Sequence, residues 1–355
     1  MNSPRKDFDV VWYAPWFGDL VSNYLDCLHE AGYSCLLITT NKHRDNSQAK
    51  FSPNFRFISQ GSAFNKLKRY NGFYHYLRNI NSKILLIDVE SRLFSLLFFL
   101  LLSFSKNLII SMHEVPHGGK RNIRDTAIRI LQNLLIKRSR GILTFSLLSS
   151  NLAKLHYPKS NVFVVPLLPE SRTFKNFIFC NNRSNFAMIG SFAGYKGFEI
   201  GLNLWGEYIK LNKTTEVLDL WLSGVENFKT EVPNVRIRSL KSYRADELET
   251  ELPHYRAVFL PYKSSSQSGV QILAQAAGVA CIVSDIQGLA QNQPSSPPVL
   301  NILDVSKWCH TIGVLSEGTH ASQIGQLSKD FFYSRSDSKS IFEIFQVIIG
   351  GVRQC

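Results

Sequence analysis

Negative charge is scarce in this sequence of 355 residues. It contains 27 Asp and Glu but 40 Lys and Arg, which gives a formal net charge of +13. An excess of this size favours an anionic partner, namely a nucleic acid, a membrane surface or a phosphorylated substrate. Charged residues make up only 19% of the chain and hydrophobic residues 45%. This composition excludes an intrinsically disordered chain, and the length favours two domains.

Closely spaced cysteine pairs are also lacking. The six cysteines are Cys27, Cys35, Cys180, Cys281, Cys309 and Cys355, and no two of them form a CxxC motif. The spacing gives no support for a structural zinc site or a redox motif, and it is not typical of a disulfide framework. We therefore expect reduced thiols in a cytoplasmic protein.

Long hydrophobic runs are absent as well. The most apolar segment, LFSLLFFLLLSF at 93–104, has 12 residues. A helix that rises about 1.5 Å per residue needs about 20 residues to cross a bilayer core. The segment therefore predicts a buried helix rather than a transmembrane one. The N-terminal residues carry no apolar stretch of the kind that a secretory signal requires.

Strand and helix patterns alternate through the first half of the chain. Short apolar runs predict strands at 9–14, 34–40, 56–59, 83–89, 107–112, 141–145 and 162–165. Helical spacing of apolar residues predicts helices at 20–31, 93–104 and 124–137. This rhythm is typical of parallel βαβ units, whose strands are buried on both faces.

A polar, irregular stretch within 166–185 interrupts the pattern, and a second alternating series follows it. Its predicted strands are 186–189, 217–223, 235–237, 257–261 and 280–284, and its predicted helices are 198–211, 244–252 and 270–277. We therefore predict an α/β protein with two doubly wound, Rossmann-like domains facing a cleft. The predicted domains are 1–172 and 173–332, and the helix of segment 333–355 is expected to pack back on the N-terminal domain.

A glycine-rich turn, GSFAGYKG at 190–197, joins a predicted strand to a predicted helix. Glycines let backbone amides approach a phosphate, and the helix N-terminus adds partial positive charge. Lys196 adds a full charge. The turn predicts a diphosphate clamp, with an ordinary βα turn as the alternative. The Walker A pattern is absent.

A hydroxyl-rich loop follows the strand that ends in Pro261 and Tyr262, and it leads to a helix start at Ser268 and Gly269. Hydroxyls and free amides at a helix N-terminus suit a sugar or phosphate oxygen. Simple capping by Ser268 is the alternative. After this helix the segment 278–288 reads GVACIVSDIQG.

These motifs together resemble the donor-binding half of the GT-B glycosyltransferases, in particular glycosyltransferase family 4. The likeness lies in the GxxxxxKG turn, the strand ending in proline, the small-residue helix and the tail 278–288, and it covers about residues 186–290. It implies the GT-B fold, a nucleotide-sugar donor with Lys196 on its diphosphate, a retaining mechanism and no metal or cofactor. The implied donor-binding residues are Gly190, Ser191, Lys196, Gly197, Tyr262, Gln267, Ser268, Gly269, Val270 and Gln275.

The chain departs from the family at charged positions. The family arginine falls on Ser191, or at a variant site on Ala193, and two glutamates fall on Gln267 and Gln275. In the family these glutamates approach the donor sugar and the ribose. A glutamine can hydrogen-bond a hydroxyl but supplies no carboxylate. A catalytically weak homologue acting as a scaffold or partner subunit therefore stays open.

A polar segment, SMHEVPHGG at 111–119, follows a predicted strand at the sheet edge where α/β proteins bind ligands. The resemblance implies that His113 lies near the reacting sugar. Glu114 is a candidate to orient or deprotonate an acceptor hydroxyl, and His117 to bind an acceptor phosphate; a plain polar loop is the alternative. The letters HEVPH match the zincin pattern, but the proline and glycines prevent the helix that would align both histidines. We therefore predict no metal site.

The loop APWFGD at 14–19 follows the first predicted strand. Family members have a glycine-containing loop here, at the junction of donor and acceptor. Gly18 and Asp19 are therefore candidate acceptor-binding residues, and a plain βα turn is an equal alternative.

Basic and apolar residues are interleaved in two segments of the first domain, 66–83 and 120–140. The second segment has seven Lys and Arg against one acid, Asp125. A basic amphipathic helix can lie on anionic headgroups, although a solvated helix face has the same pattern. Basic residues with aromatics also suit single-stranded nucleic acid, but no RRM, KH or zinc-finger signature is present, and no nucleic acid is expected.

We therefore predict a glycosyltransferase that moves a sugar from a nucleotide-sugar to a lipid-linked saccharide of bacterial surface polysaccharide synthesis, such as lipopolysaccharide or capsule. It is expected to be cytoplasmic and peripheral at the inner face of the cytoplasmic membrane. The alternatives are the scaffold homologue, a basic nucleic-acid-binding protein and a sugar-nucleotide epimerase on the same fold.

Overall fold

The computed structural model describes residues 7–15, 17–40, 56–58, 77–89, 93–104, 107–113, 123–171, 174–243 and 245–350. The chain forms two compact units, of which the first is Met1–Pro166 with Asp337–Cys355 and the second is Leu167–Ser336. The predicted candidates Glu114 and His117, and most of the basic segment 66–83, lie outside the described residues.

The strands and helices of the described residues are numbered in chain order. The strands are β1 Asp7–Tyr13, β2 Cys35–Thr40, β3 Arg56–Ile58, β4 Asn81–Asp88, β5 Leu108–Met112, β6 Gly141–Thr144, β7 Val162–Val164, β8 Phe186–Ser191, β9 Leu218–Ser223, β10 Val235–Ser239, β11 Ala257–Leu260 and β12 Ala280–Val283. The helices are α1 Gly18–Glu30, α2 Leu93–Leu102, α3 Ile123–Arg138, α4 Leu147–His156, α5 Phe198–Asn212, α6 Ala245–Glu251, α7 Gly269–Ala276, α8 Gln287–Ala290, α9 Val305–Ser316, α10 Gly318–Ser336 and α11 Ser338–Gly350.

The first unit is built on a parallel sheet with strand order β3-β2-β1-β4-β5-β6-β7. Every residue of β5 and β6 is buried, whereas the edge strand β7 is half-buried throughout. Continuous apolar runs form central strands of this kind because helices cover both faces of a parallel sheet. The predicted alternation of strands and helices is therefore confirmed in this half.

The apolar segment at 93–104 forms α2 and a turn. Leu96, Phe99 and Leu102 are buried in the core against the sheet. No helix among the described residues combines the length and the hydrophobicity needed to cross a bilayer. The segment is the predicted core helix.

The last helix, α11, belongs to the first unit. The Phe345 ring lies 6.1 Å from the ring of Trp12 on β1, and Phe342 lies 5.7 Å from Tyr33. Ile341, Phe345 and Ile348 are buried. The apolar face of α11 thus completes the core of a unit whose other elements lie more than 170 residues earlier in the chain.

The second unit has a five-stranded parallel sheet with the order β10-β9-β8-β11-β12. Strands β8, β9, β11 and β12 are almost entirely buried, while the edge strand β10 is mostly exposed. Trp205 on α5 and Trp308 on α9 are fully buried on one face of this sheet. Both units thus have the doubly wound α/β architecture that the sequence predicts.

Candidate functional site

Each sheet has one point where the strand order reverses. In the second unit the chain runs from β8 outward to β9 and β10, and then returns to β11 on the other side of β8. Ligands of such sheets bind outside the carboxyl ends of the two strands that flank the reversal. Here those ends carry the glycine-rich turn after β8 and the hydroxyl-rich loop after β11, so the topology brings the two predicted donor motifs together.

Glycines allow the loop after β8 and the loop after β11 to approach each other closely. Gly197 has φ +65°, and a Cβ there would overlap the carbonyl oxygen of Pro261 in the other loop. Gly190 has φ +133°, and a Cβ there would overlap the Lys196 ammonium. The amide of Lys263 donates to the carbonyl of Tyr195 at 2.7 Å. The two loops are therefore fixed against each other, with Lys196 beside Gly190.

Lys196 is the principal charge of this site. Its Nζ lies 5.9 Å from the centroid of the Tyr262 ring, just before the N-terminus of α5. Burial lowers the pKa of the Lys196 ammonium, and the negative charge of Glu170 opposes this shift. Among the residues that the structure describes, no carboxylate forms an ion pair with it. A half-buried ammonium at a helix N-terminus is suited to bind an anion.

The loop after β11 supplies hydroxyls and amides. Ser268 caps α7: its Oγ accepts a hydrogen bond from the amide of Gln271 at 3.2 Å and lies 3.4 Å from the Tyr262 hydroxyl. Gly269 is exposed, with open space beside its Cα, and Val270 is half-buried. Burial raises the pKa of Tyr262, so its hydroxyl stays neutral. The capping by Ser268, stated above as the alternative, is present, and the exposed residue Gly269 follows it.

The two glutamines at the family's glutamate positions have different surroundings. Gln267 is half-buried and precedes α7. Gln275 is buried within α7, and its Nε2 donates to the carbonyl of Asn292 at 2.6 Å. The amide of Gln275 is therefore used inside the unit, and Gln267 is the more accessible of the two.

The reversal point of the first unit lies between β1 and β4. His113, at the end of β5, is stacked between Phe17 and Phe145, with ring centroids 3.8 Å and 4.4 Å away. Its Nε2 lies 3.4 Å from Oδ2 of Asp88, the last residue of β4, an ion-pair distance when the imidazole is protonated. The other oxygen of Asp88 accepts a hydrogen bond from Trp12 Nε1 at 3.0 Å.

Three members of this cluster, Asp88, Phe17 and Phe145, are absent from the sequence-based candidates. The available signal for Asp88 was an acidic residue at the end of a buried apolar strand. Phe17 immediately precedes the candidates Gly18 and Asp19, which begin α1. The structure therefore brings the turn after β1 next to His113, as expected for residues at one sheet edge.

Metal ligands do not converge in the described parts of the chain: no three His, Cys, Asp or Glu side chains there form a candidate metal site. The positive charge at the β8–β11 edge comes from Lys196 and from the N-termini of α5 and α7.

Two doubly wound, Rossmann-like units in succession confirm the predicted fold class and match solved structures of the GT-B class. Among solved structures, the chain is similar to sucrose-phosphate synthase from Thermosynechococcus elongatus, with a TM-score of 0.67 and 13% identity over 98% of this chain and 100% of that one. It is also similar to Anabaena HepE in complex with UDP, with a TM-score of 0.68 and 11% identity over 97% and 100% of the two chains.

A third similar structure is the E. coli trehalose-6-phosphate protein bound with UDP-2-fluoro glucose, with a TM-score of 0.65 and 11% identity over 99% of both chains. At this level of identity the likeness shows the fold. No protein-family model matches the chain. No curated protein matches it either.

Proposed function

We propose that the protein is a glycosyltransferase that takes its sugar from a nucleotide-sugar donor. The observation that carries the proposal is the Lys196 ammonium, which the glycines at 190 and 197 hold at the reversal point of the second sheet. The similarity to HepE structures with bound UDP and UDP-glucose supports a uridine nucleotide as the first donor to test.

The proposed chemistry rests on charge stabilisation. As the bond between sugar and phosphate breaks, negative charge grows on the leaving diphosphate. Lys196 and the amides at the N-termini of α5 and α7 would stabilise that charge without a metal ion or other cofactor. Gln267 and Ser268 would bind sugar or phosphate oxygens. A retaining outcome is proposed from the resemblance to glycosyltransferase family 4.

His113 is proposed to position the reacting sugar. Phe17 and Phe145 restrict its ring to one plane, and Asp88 fixes the side of the ring that carries Nε2. Glu114 and His117 stay candidates for activating and binding the acceptor. Gly18 and Asp19, at the start of α1, stay candidates for contacting it.

The acceptor is proposed to be a lipid-linked saccharide, reached from the cytoplasmic face of a membrane. Supporting this, the first unit exposes apolar and basic side chains together on α2 and α3. Leu101 and Phe104 are 59% and 69% exposed, and Ile130 is 55% exposed. The Arg138 guanidinium lies 3.9 Å from the Phe104 ring centroid, and Lys137 beside it is exposed. Apolar residues rimmed by cations suit anionic lipid headgroups.

Vesicle flotation tests whether these exposed side chains of the first unit bind an anionic membrane. We expect binding to vesicles that contain phosphatidylglycerol but not to pure phosphatidylcholine, and loss of binding in the double variant Leu101→Glu, Phe104→Glu. The matched control is Leu303→Glu, which changes an 84% exposed leucine in the second unit. Equal binding by the double variant would contradict the proposal, and a salt-sensitive shift of an oligonucleotide without vesicle binding would favour the nucleic-acid alternative.

Donor binding tests the main proposal. Titration of UDP-, GDP-, dTDP- and CMP-sugars is expected to show selective binding of one donor, together with slow hydrolysis of it. Lys196→Ala is expected to weaken that binding about 100-fold, because an ion-paired phosphate contact at a partly buried site is lost. Tight binding that is unchanged in Lys196→Ala would contradict the proposed role of the lysine.

The second candidate function is a non-catalytic scaffold or partner subunit on the same fold. Gln267 and Gln275 favour it, because neither supplies a carboxylate and the amide of Gln275 is bound to Asn292. A folded protein that binds none of the donors would favour this second candidate.

A further inference from the structure

A thiol and an imidazole lie in contact in the second unit, away from the β8–β11 edge. Cys180 is half-buried in the segment that leads into β8, and its Sγ lies 3.2 Å from Nδ1 of His254. Sγ also donates to the carbonyl of Asn182 at 3.1 Å. The thiol has a single proton, and of these two neighbours the imidazole, when its Nδ1 is unprotonated, is the one that can remove it.

The backbone fixes this pair. The amide of Ser184 donates to the carbonyl of His254 at 2.8 Å, and the amide of Arg256 donates to the carbonyl of Asn185 at 3.0 Å. These two bonds tie the segment of Cys180 to the segment of His254. The fold therefore brings the two segments together, and the exposed His254 side chain contacts the half-buried sulfur where they meet.

A buried cation, Arg183, follows Cys180 three residues later in the chain and interacts electrostatically with its sulfur. Arg183 is only 3% exposed, and its Nη1 donates to the carbonyl of Tyr255 at 3.1 Å. Its Nε and Nη2 have no hydrogen-bond partner among the described residues, and its guanidinium lies 4.8 Å from the Phe179 ring centroid. Burial lowers the pKa of Arg183 to about 10, and the Cys180 sulfur is the group whose negative charge opposes this shift. A buried cation without a carboxylate partner stabilises a nearby anion.

The other described cysteines are less accessible than Cys180. Cys27, Cys35, Cys281 and Cys309 are buried. Burial raises the pKa of the Cys35 thiol to about 12 and also raises that of Cys281 and Cys309. Such thiols are poor nucleophiles because the thiolate is the reactive form.

We propose that Cys180 is a reactive thiol that forms mixed disulfides with low-molecular-weight disulfides, with His254 as its base and Arg183 as the counter-charge of the sulfur anion. His254 takes the thiol proton, and the sulfur anion attacks one sulfur of the disulfide. That S–S bond breaks, a new one forms to Cys180, and the released half takes up the proton as a thiol. The exchange needs no oxidant other than the disulfide itself.

Reaction of the full chain with DTNB and with oxidised glutathione tests the proposal, read by released thiol and by intact mass. The background variant is Cys355→Ser, which removes the terminal thiol outside the described residues. We expect one fast equivalent, its loss in Cys180→Ser, and its retention in the matched control Cys309→Ser. Because a positioned base is removed, His254→Gln is expected to slow this equivalent about tenfold or more.

Two results would overturn the proposal. One is a Cys180 that reacts no faster than the buried cysteines in the folded protein. The other is a rate that His254→Gln leaves unchanged. His254→Asn is the second variant if His254→Gln does not fold, as judged by circular dichroism and melting temperature. Donor binding in Cys180→Ser should match that of the unchanged protein, which separates this proposal from the proposed function.

Discussion

The two reversal points share a topology but differ in the side chains that occupy them. In the second unit the edge is polar and partly open, with main-chain amides, serine hydroxyls and the Lys196 ammonium. In the first unit the described part of the edge is aromatic, with His113 between two phenylalanine rings and the buried carboxylate of Asp88 beside it. The strand order decides where a ligand can bind, and the side chains decide the charge of what binds there.

This contrast indicates that the two sheet edges contact different parts of the substrate. A cation among open amides is suited to a leaving diphosphate, whereas a rigid imidazole held by a carboxylate is suited to a neutral sugar that must be oriented. Changes at the second unit should therefore alter donor affinity, and changes at the first should alter turnover.

After the loss of Lys196 itself, the largest effect is expected from Gly197→Ala. A Cβ at φ +65° is strained by about 1–2 kcal/mol, and it would also overlap the Pro261 carbonyl oxygen. The loop that carries Lys196 must then shift, so donor affinity should fall about tenfold or more, with a lower melting temperature. The matched control is Gly194→Ala in the same turn, where nothing lies within 4 Å of the added atom. Equal affinities in calorimetric titrations of the two variants would show that the loop contact is dispensable.

A smaller effect is expected from Asp88→Asn. The asparagine can still accept from Trp12 Nε1, but it cannot pair with a protonated His113. Turnover of the bound donor should fall about tenfold, because the ion pair with a protonated His113 is lost at a mostly buried position, while the donor dissociation constant stays the same. Asp330→Asn, an exposed carboxylate on α10, is the control. A weaker donor affinity with normal turnover would contradict the division between the two units.

The smallest effect is a pH dependence of donor binding. Because burial lowers the pKa of Lys196 from 10.5, the ammonium loses its proton at a lower pH than an ordinary lysine. Affinity for UDP should be full below that lowered pKa and should decline as the pH rises through it. Lys196→Arg should keep its affinity over the same range, since a guanidinium stays charged.

In the absence of donor, the lowered pKa of Lys196 makes the folded protein more stable, not less, as the pH rises. The unfolded lysine holds its proton to higher pH than the folded one, so the free energy of unfolding should rise with pH between the two pKa values. UDP affinity and the free energy of unfolding in denaturant, each measured as a function of pH, test the expected fall of the first and the expected rise of the second. A UDP affinity that falls equally in Lys196→Arg would assign the pH dependence to another group.

The fold could be predicted largely because its central strands are continuous apolar runs. Helices α4, α8, α9 and α10 were not predicted. Helix α8 has only four residues, and serine in α4, with glycine and threonine as well in α9 and α10, interrupts the apolar spacing. The capping residues then set where α4 and α9 begin. Ser146 caps α4 by accepting from the amide of Ser149 at 3.0 Å, and Asp304 caps α9 by accepting from the amide of Lys307 at 3.1 Å.

The candidate site was predictable where chemistry is local in sequence, as in the turn that contains Lys196. It was not predictable where the partners meet only through the sheet. Asp88 ends β4 and His113 directly follows the neighbouring strand β5, 25 residues later in the chain. Nothing in either segment alone indicates the other. The different environments of Gln267 and Gln275 also depend on tertiary packing.

The position of α11 has a consequence for biosynthesis. Its Phe345 packs on Trp12, and its Ser338 hydroxyl lies 3.5 Å from the Cys27 sulfur, although both partners leave the ribosome long before it. At roughly 5–20 residues per second, the nascent first unit must wait on the order of ten seconds or more while the second unit is translated. During that interval the apolar surface of α1 that α11 covers is exposed to chaperones and to other chains. A stop codon after Ser336 would therefore leave the second unit whole and harm the half of the protein that was made first.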